Sequence, residues 1–363
     1  ITALASWCIF DDWISGISAD EAIPMLFRMG EGEARVRAWL AGGSDFRDRE
    51  AFQEVDYFNF FGPSTRGMAK RVERIDDPER VPEYVARAFA TAMNGRPGPV
   101  VVVLPEDMLV REVIARPVPR IEAVQAWCDP GGLRQLREML LFAKKPFVIA
   151  GGNGWTPQSA QALQRFAENW KLPVGNAFRF QDTFDNHHPL YAGDVGIGIN
   201  PKLAQRVRDS DLILAIGTRL GEMTTSGYTL LQAPKPTQKL VHIHSSAEEL
   251  NRVYHADLAM LATMNAAARS LEVLDAPKDV PWYAWTAEAN ADYIANLQAQ
   301  KLQPTDEYSA NLLMQRAGRG ITKPQDQDTG YADGGAAGKG AGGKDAALHK
   351  ALEIIHHMAL KNH

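Results

Sequence analysis

The sequence predicts an α/β protein. An open, doubly wound parallel sheet forms its central domain, and the chain adds the C-terminal part of a second α/β domain and an irregular C-terminal tail. Three observations lead to this prediction. Short apolar, β-branched runs alternate with segments of helical period between about residues 76 and 274. Glycines follow several of the runs, and prolines open several of the helical segments. Strands that alternate with crossover helices indicate a parallel sheet with helices on both faces.

The first clear unit is a helix followed by a strand. A helix opens at Pro82, places Val85, Phe89 and Met93 on one face, and ends at Asn94 and Gly95. Residues 100–104 form a β-branched block that is typical of a strand buried on both faces. This pattern predicts an interior strand of a parallel sheet.

The alternation resumes after a proline-rich connector. Strands are predicted at residues 147–150, 174–178, 212–216, 240–243 and 258–262, and helices begin near Pro130, Pro157, Pro201 and Ala266. Asp129 is the expected N-cap of the first of these helices. The stretch from residue 179 to Asn200 is predicted to be irregular, and residues 246–249 fit a capping box that would begin a helix.

Composition and charge restrict the function classes. The chain of 363 residues is 45% hydrophobic and 23% charged, which is typical of globular proteins with sizeable cores. A net charge of -5 argues against a broad nucleic-acid-binding surface. The two cysteines, Cys8 and Cys128, imply no disulfide framework. No apolar run is long enough to cross a bilayer, so we expect a cytoplasmic protein without a membrane partner.

The domain boundaries follow from where these patterns change. We place a partial α/β domain at residues 1–118, in which residues 1–48 match no pattern, and the central domain at residues 119–275. Residues 276–329 are predicted to be a helical linker, and residues 330–363 a glycine-rich tether with an amphipathic helix.

Three stretches resemble a known enzyme family. The first is REAFQEVDYFNFFGP (residues 49–63) with its continuation to LPEDML (residues 104–109). The second is KPFVIAGGNGW (residues 145–155), and the third is DLILAIGTRLGEMTTSGYTLL with QKLVHIHSSAEEL (residues 211–231 and 238–250). Residues from about 49 to 300 resemble thiamine-diphosphate-dependent enzymes of the acetolactate-synthase type, and the first domain resembles their pyrimidine-binding domain.

The resemblance implies an activity and its cofactors. It implies a carboligase or decarboxylase that uses thiamine diphosphate and Mg²⁺ on a 2-keto acid such as pyruvate, in a homo-oligomer. FAD is a further possible cofactor, because some members hold it in the central domain. Phe52 and Gln53 match residues that line the substrate channel in the family. An alternative role for both is packing of an edge segment.

Two parts of the family's catalytic apparatus are not found in the sequence. No glutamate stands in the setting that activates the cofactor, and no Gly-Asp-Gly motif that would hold Mg²⁺ and the diphosphate occurs. The catalytic residues therefore stay unknown, and we do not expect the chain to be catalytically self-sufficient. The alternatives are a non-catalytic nucleotide- or FAD-binding module and a truncated or engineered derivative of such an enzyme.

Glycines at two strand ends are the candidate cofactor-binding residues. Gly151 and Gly152 follow one predicted strand and precede a helix, where backbone N–H groups and the helix dipole favour a phosphate. Gly217 and Arg219 follow another strand, and the guanidinium could pair with a phosphate or stack on a flavin. The glycine fingerprint is incomplete, so a tight strand-to-helix turn is the alternative.

His242 and His244 alternate on one predicted strand and point to the same side. No third ligand has suitable spacing, so a structural role is expected and no metal site is predicted.

Overall fold

The computed structural model describes residues 35–41, 49, 54–62, 68–114, 118–119 and 121–300. These residues belong to two compact units, one ending at Val124 and the other beginning at Gln125. Each unit has its own parallel sheet, so the predicted α/β class is confirmed.

The first unit contains a three-stranded parallel sheet in the order β1-β3-β2. Its strands are β1 (Arg35–Ala41), β2 (Arg71–Arg74) and β3 (Pro99–Pro105), and its helices are α1 (Tyr57–Phe61), α2 (Val81–Met93) and α3 (Glu106–Leu109), with a 3₁₀ turn at Pro78–Arg80. The strand predicted at residues 100–104 is the central strand of this sheet and is buried. The predicted helix that ends near Asn94 is α2.

The end of α2 is fixed by a lysine from outside the helix. The Lys70 ammonium donates hydrogen bonds to the carbonyls of Asn94 at 2.7 Å and Arg96 at 2.9 Å. A cation at the carboxyl end of a helix satisfies carbonyls that lack a partner within the helix. Burial, with repulsion from Arg96, lowers the pKa of Lys70 below its ordinary value.

The second unit is a six-stranded parallel sheet in the order β6-β5-β4-β7-β8-β9. The strands are β4 (Pro146–Ala150), β5 (Val174–Ala177), β6 (Tyr191–Val195), β7 (Leu212–Ile216), β8 (Lys239–His244) and β9 (Leu258–Leu261). The helices are α4 (Pro130–Phe142), α5 (Pro157–Trp170), α6 (Pro201–Asp209), α7 (Met264–Glu272) and α8 (Tyr283–Gln300). The strand order turns back between β4 and β7, which is the doubly wound arrangement predicted from the sequence.

Side chains on the two faces of this sheet form separate cores. Val148 of β4 packs in one cluster with Leu136 of α4 and Phe166 of α5. Phe147, the preceding residue of β4, packs in the other cluster with Val207 of α6. Successive side chains of a strand point to opposite faces, so a strand that is buried on both faces is apolar throughout.

Two sequence predictions are wrong in this unit. The stretch predicted to be irregular contains β6, whose Gly193 and Asp194 are residue types that strands seldom contain. Ser246 and Glu249 do not begin a helix. The Glu249 N–H instead donates to the Ser246 carbonyl, which closes a turn. Asn251, two residues further on, has a left-handed φ of 61°.

Helix α8 and the residue before it are hydrogen-bonded to the first residues of β4 and β6 and to the carboxyl end of α5. Trp285 donates to the Pro146 carbonyl at 3.1 Å, Thr286 to Lys171 at 2.7 Å, and Asn290 to Tyr191 at 2.9 Å. Trp282 donates to the Trp170 carbonyl at 3.0 Å. Among the described residues, neither α8 nor any other helix combines the length and apolarity needed to cross a membrane.

Candidate functional site

The candidate site lies at the carboxyl edge of the second sheet, where β4 and β7 run side by side. Ala150, the last residue of β4, is paired with Ile216, the last residue of β7. Gly151 and Gly217 therefore leave the sheet as neighbours, at the point where the strand order turns back. Ligands of open α/β sheets bind in the crevice at such a point.

The two glycine loops contact each other through their backbones. Gly152 and Gly217 have left-handed φ angles of 78° and 77°. A Cβ on Gly152 would lie 2.0 Å from the Gly217 carbonyl oxygen, and a Cβ on Gly217 would lie 2.1 Å from the Gly151 carbonyl oxygen. Both the backbone conformation and the space thus require glycine at these positions.

Three polar groups of the glycine loops are bonded within the protein. The Gly151 N–H donates to the Ile216 carbonyl at 3.0 Å, and the Gly217 N–H to the Ile243 carbonyl at 2.8 Å. The indole N–H of Trp155 donates to the Gly151 carbonyl at 2.9 Å. These bonds extend the ladder of β4, β7 and β8 one residue beyond the strands.

The amino end of α5, which follows the first glycine loop, is closed by a capping box. The Thr156 hydroxyl accepts from the Ser159 N–H at 3.3 Å, and the Ser159 hydroxyl accepts from the Thr156 N–H at 2.7 Å. The Thr156 hydroxyl also donates to the Asn265 side chain at 3.0 Å. The Ser159 N–H, which lies in the first turn and could otherwise bind an anion, therefore already donates to the Thr156 hydroxyl.

Two exposed arginines lie in the loops that follow β5 and β7. Arg219 follows Gly217 and is exposed, while its neighbours Thr218 and Leu220 are buried. Arg179 follows β5, and its guanidinium lies 5.1 Å from the centroid of the Phe178 ring. Both are in reach of solvent, so an anion could approach either from outside.

The structure brings together Gly151, Gly152 and Gly217, with Arg219 two residues beyond Gly217. Their role in binding a cofactor stays a prediction. Phe52 and Gln53, the predicted substrate-channel residues, lie outside the described residues.

His242 and His244 are buried beneath the loops that follow β7 and β8. The His242 Nε2–H donates to the Thr218 carbonyl at 2.9 Å, and His244 Nδ1 accepts from the Ser246 N–H at 3.0 Å. Burial lowers the pKa of His242 below its ordinary value, more than the Thr218 carbonyl and Glu249 raise it, so the imidazole is neutral at neutral pH. Both side chains connect loops at the same edge as the glycines.

The sequence reading missed a polar cluster on the edge strand β6. The Tyr191 hydroxyl donates to the Asp194 carboxylate at 3.0 Å, and the ring of Tyr293 from α8 packs edge-to-face on Tyr191 at 4.9 Å. Burial of the carboxyl raises the pKa of Asp194, although the residue as a whole is exposed. Burial and the nearby Asp194 raise the pKa of Tyr293 to about 12. The irregular reading of residues 179–200 concealed this cluster.

Comparison with known proteins defines the class of the second unit. Residues 133–271 match the family model described as the central domain of thiamine pyrophosphate enzymes. Residues 133–271 of the second unit are thus similar to the central domain of thiamine pyrophosphate enzymes, and the resemblance found in the sequence is confirmed.

The similar proteins include acetolactate synthase large subunits. The chain is 27% identical to the large subunit from Corynebacterium glutamicum over 75% of this chain and 42% of that protein. It is 26% identical to the isozyme 2 large subunit of Escherichia coli K12 over 62% of this chain and 40% of that protein. The chain thus spans about two fifths of the length of these curated relatives.

A solved structure shares the fold. The crystal structure of benzoylformate decarboxylase from Polynucleobacter necessarius matches with a TM-score of 0.57 and 19% identity, over 69% of this chain and 46% of that chain. At this identity the likeness concerns the fold alone.

Proposed function

We propose that this chain supplies the central domain of a thiamine-diphosphate-dependent carboligase or decarboxylase that acts on a 2-keto acid such as pyruvate. The observation that supports this proposal is the match of residues 133–271 to the thiamine pyrophosphate enzyme central domain, together with the similarity to acetolactate synthase large subunits. We propose further that the enzyme is a cytoplasmic homo-oligomer and that the chain alone is not catalytically self-sufficient.

The described residues do not fit Mg²⁺ and a diphosphate. Among the residues that the structure describes, no group of three or more His, Cys, Asp or Glu side chains is arranged to hold a metal ion. Asp194, whose neighbours Gly193 and Gly196 distantly resemble a Gly-Asp-Gly motif, is bonded to the Tyr191 hydroxyl and has a raised pKa. We therefore assign no reaction step to these residues.

The role that the second unit supports best is that of a rigid scaffold. Its sheet is buried on both faces, its central loops are in backbone contact, and α8 is bonded to the first residues of β4 and β6 and to the carboxyl end of α5. A scaffold of this kind holds catalytic domains in fixed positions, while the cofactor performs the difficult bond-making.

A domain exchange tests whether this unit serves a carboligase. Residues 125–300 would replace the corresponding segment of the E. coli K12 isozyme 2 large subunit, and acetolactate formation from pyruvate would be measured. We expect a chimera that binds thiamine diphosphate and forms acetolactate. The matched control carries Gly217→Ala in the inserted unit and should lose both properties. A chimera that binds the cofactor normally but forms no acetolactate would contradict the proposal.

Calorimetric titration of the purified chain with thiamine diphosphate and Mg²⁺ tests self-sufficiency. We expect no saturable heat and no pyruvate turnover. Saturable binding in the micromolar range, followed by turnover, would show that the chain forms a complete cofactor site by itself.

A further inference from the structure

We infer that the crevice between β4 and β7 is closed by the protein's own backbone, and that this central domain holds neither FAD nor another dinucleotide at its glycine loops. The inference concerns a different site from thiamine diphosphate binding, and its test does not depend on the activity proposed above. It assigns Gly152 and Gly217 to the packing of two loops.

The first argument is the occupant of the space that each glycine leaves open. In a dinucleotide site, a missing side chain lets the ligand's pyrophosphate approach the backbone. At Gly152 that space holds the carbonyl oxygen of Gly217, 2.0 Å from the position of a Cβ. At Gly217 it holds the Gly151 carbonyl oxygen and, at 2.5 Å, the sulfur of Met264. The protein therefore already fills the space on the facing sides of Gly152 and Gly217, where a pyrophosphate between the two loops would lie.

The second argument concerns hydrogen-bond donors. Phosphate groups at such an edge are held by backbone N–H groups of the glycine loop and of the following helix. The N–H groups of Gly151, Gly217 and Ser159 donate to Ile216, Ile243 and the Thr156 hydroxyl, respectively. A pyrophosphate held by these three N–H groups would have to break these bonds.

The third argument concerns the loop after β8, which contributes to the same edge. His244 accepts from the Ser246 N–H, and His242 donates to the Thr218 carbonyl. Both imidazoles are buried, and His242 is neutral because burial lowers its pKa. This loop is thus joined to its neighbours by internal bonds. The guanidinium groups of Arg179 and Arg219 are exposed at this edge and can attract an anion from solvent.

Hydrogen–deuterium exchange of the full chain, without any ligand, is the first test. The amides of Gly151, Gly217 and Ser159 should exchange as slowly as those of the central strands β4 and β7, because their bonds extend the ladder and the cap. Exchange at the rate of an unprotected loop would show that these donors are available and would overturn the inference.

Titration with FAD and with ADP is the second test. We expect no saturable quenching of flavin fluorescence, a dissociation constant weaker than about 1 mM for both ligands, and no flavin absorbance band in the purified chain. Micromolar binding of either ligand that also slows exchange at Gly152 and Gly217 would overturn the inference. Weak binding that disappears in Arg219→Ala and at high salt, with unchanged exchange at the glycines, is contact with a surface charge and supports it.

A pair of glycine variants separates packing from ligand binding. Gly152→Ala should destabilise the ligand-free chain, because the new Cβ meets a carbonyl oxygen. Gly154→Ala is the control, since Gly154 also has a positive φ, 89°, but no atom lies within 4 Å of the new Cβ. If both variants unfold at the same urea concentration, the loops are not in contact and the inference fails.

Discussion

Replacing Gly217 with alanine tests the contact between the two central loops most directly. Gly217 has a φ of 77°, and the added Cβ would lie 2.1 Å from the Gly151 oxygen and 2.5 Å from the Met264 sulfur. The left-handed conformation alone costs alanine about 1–2 kcal/mol. Overpacking against a backbone that cannot easily move adds about 1–3 kcal/mol. We therefore expect a loss of about 2–5 kcal/mol in the free energy of unfolding.

Gly198→Ala is the matched control for this variant. Gly198 has a similar φ, 72°, but no atom lies within 4 Å of the position of its Cβ. Its cost should be the conformational part alone, about 1–2 kcal/mol. Urea unfolding of the full chain, followed by tryptophan fluorescence and by exchange at β4 and β7, would measure both losses. Equal losses in the two variants would refute the reasoning, because the steric part would then be absent.

Three further predictions concern helix α8 and two titrating side chains. Asn290→Ala should lower the free energy of unfolding by about 1–3 kcal/mol, because the Tyr191 carbonyl loses the Asn290 donor. Proteolysis within α8 should then be faster, and an unchanged cleavage rate would contradict this role of Asn290. Burial lowers the pKa of His242 from 6.5, so stability should fall as the pH drops below about 6.5, and His242→Gln should flatten that part of a pH series of urea midpoints. Burial raises the pKa of Asp257. Hydrogen bonds from Lys235, Lys239 and the Leu240 N–H have the larger, opposite effect, so the pKa falls from 3.8 to about 2. Its stabilising effect, roughly 1–2 kcal/mol after allowance for solvent screening, should be complete above pH 3.8 and lost as the pH falls through 2, and acid unfolding that is identical in Asp257→Asn would contradict this.

The regular parts of the fold could be predicted because local signals and burial agree there. The block at residues 100–104 is apolar at every position, and the structure makes it a central strand. Asp129 is the N-cap that the sequence predicts, and its side chain accepts from the Gly132 N–H. Where the local sequence pattern and the tertiary environment agree in this way, the hydrophobic periodicity is enough to predict the strand or helix.

The errors arose where a tertiary contact outweighed local preference. β6 contains Gly193, which tolerates a φ of 111°, and a Cβ at this position would lie only 3.2 Å from the ring of Tyr293. No property of residues 191–195 alone reveals that a ring from α8 will lie there. Residues 246–249 likewise fit a capping box, but they form a turn, and the left-handed conformation of Asn251 is not that of a helix.

The candidate site shows the same limit. The sequence identified Gly151, Gly152 and Gly217 as candidate cofactor-binding residues, and in the structure Gly152 and Gly217 have positive φ angles. Which group each glycine faces depends on the strand order, because the two loops become neighbours only when β7 pairs with β4. Pattern reading could therefore find the residues, whereas their partners required the fold.

The bonds from α8 to the sheet have a consequence for how the chain is made. The last strand, β9, ends at Leu261, whereas the donors that cap β4 and β6 are Trp285 and Asn290. About 40 more residues must be synthesised before α8 is complete, which takes about 2–8 s at ribosomal rates of about 5–20 residues per second. During that interval all six strands have been synthesised, while the carbonyls of Pro146 and Tyr191 still lack their donors from α8. Nascent chains should therefore be most exposed to chaperones and proteases in this interval, and become resistant once residues 283–300 have emerged.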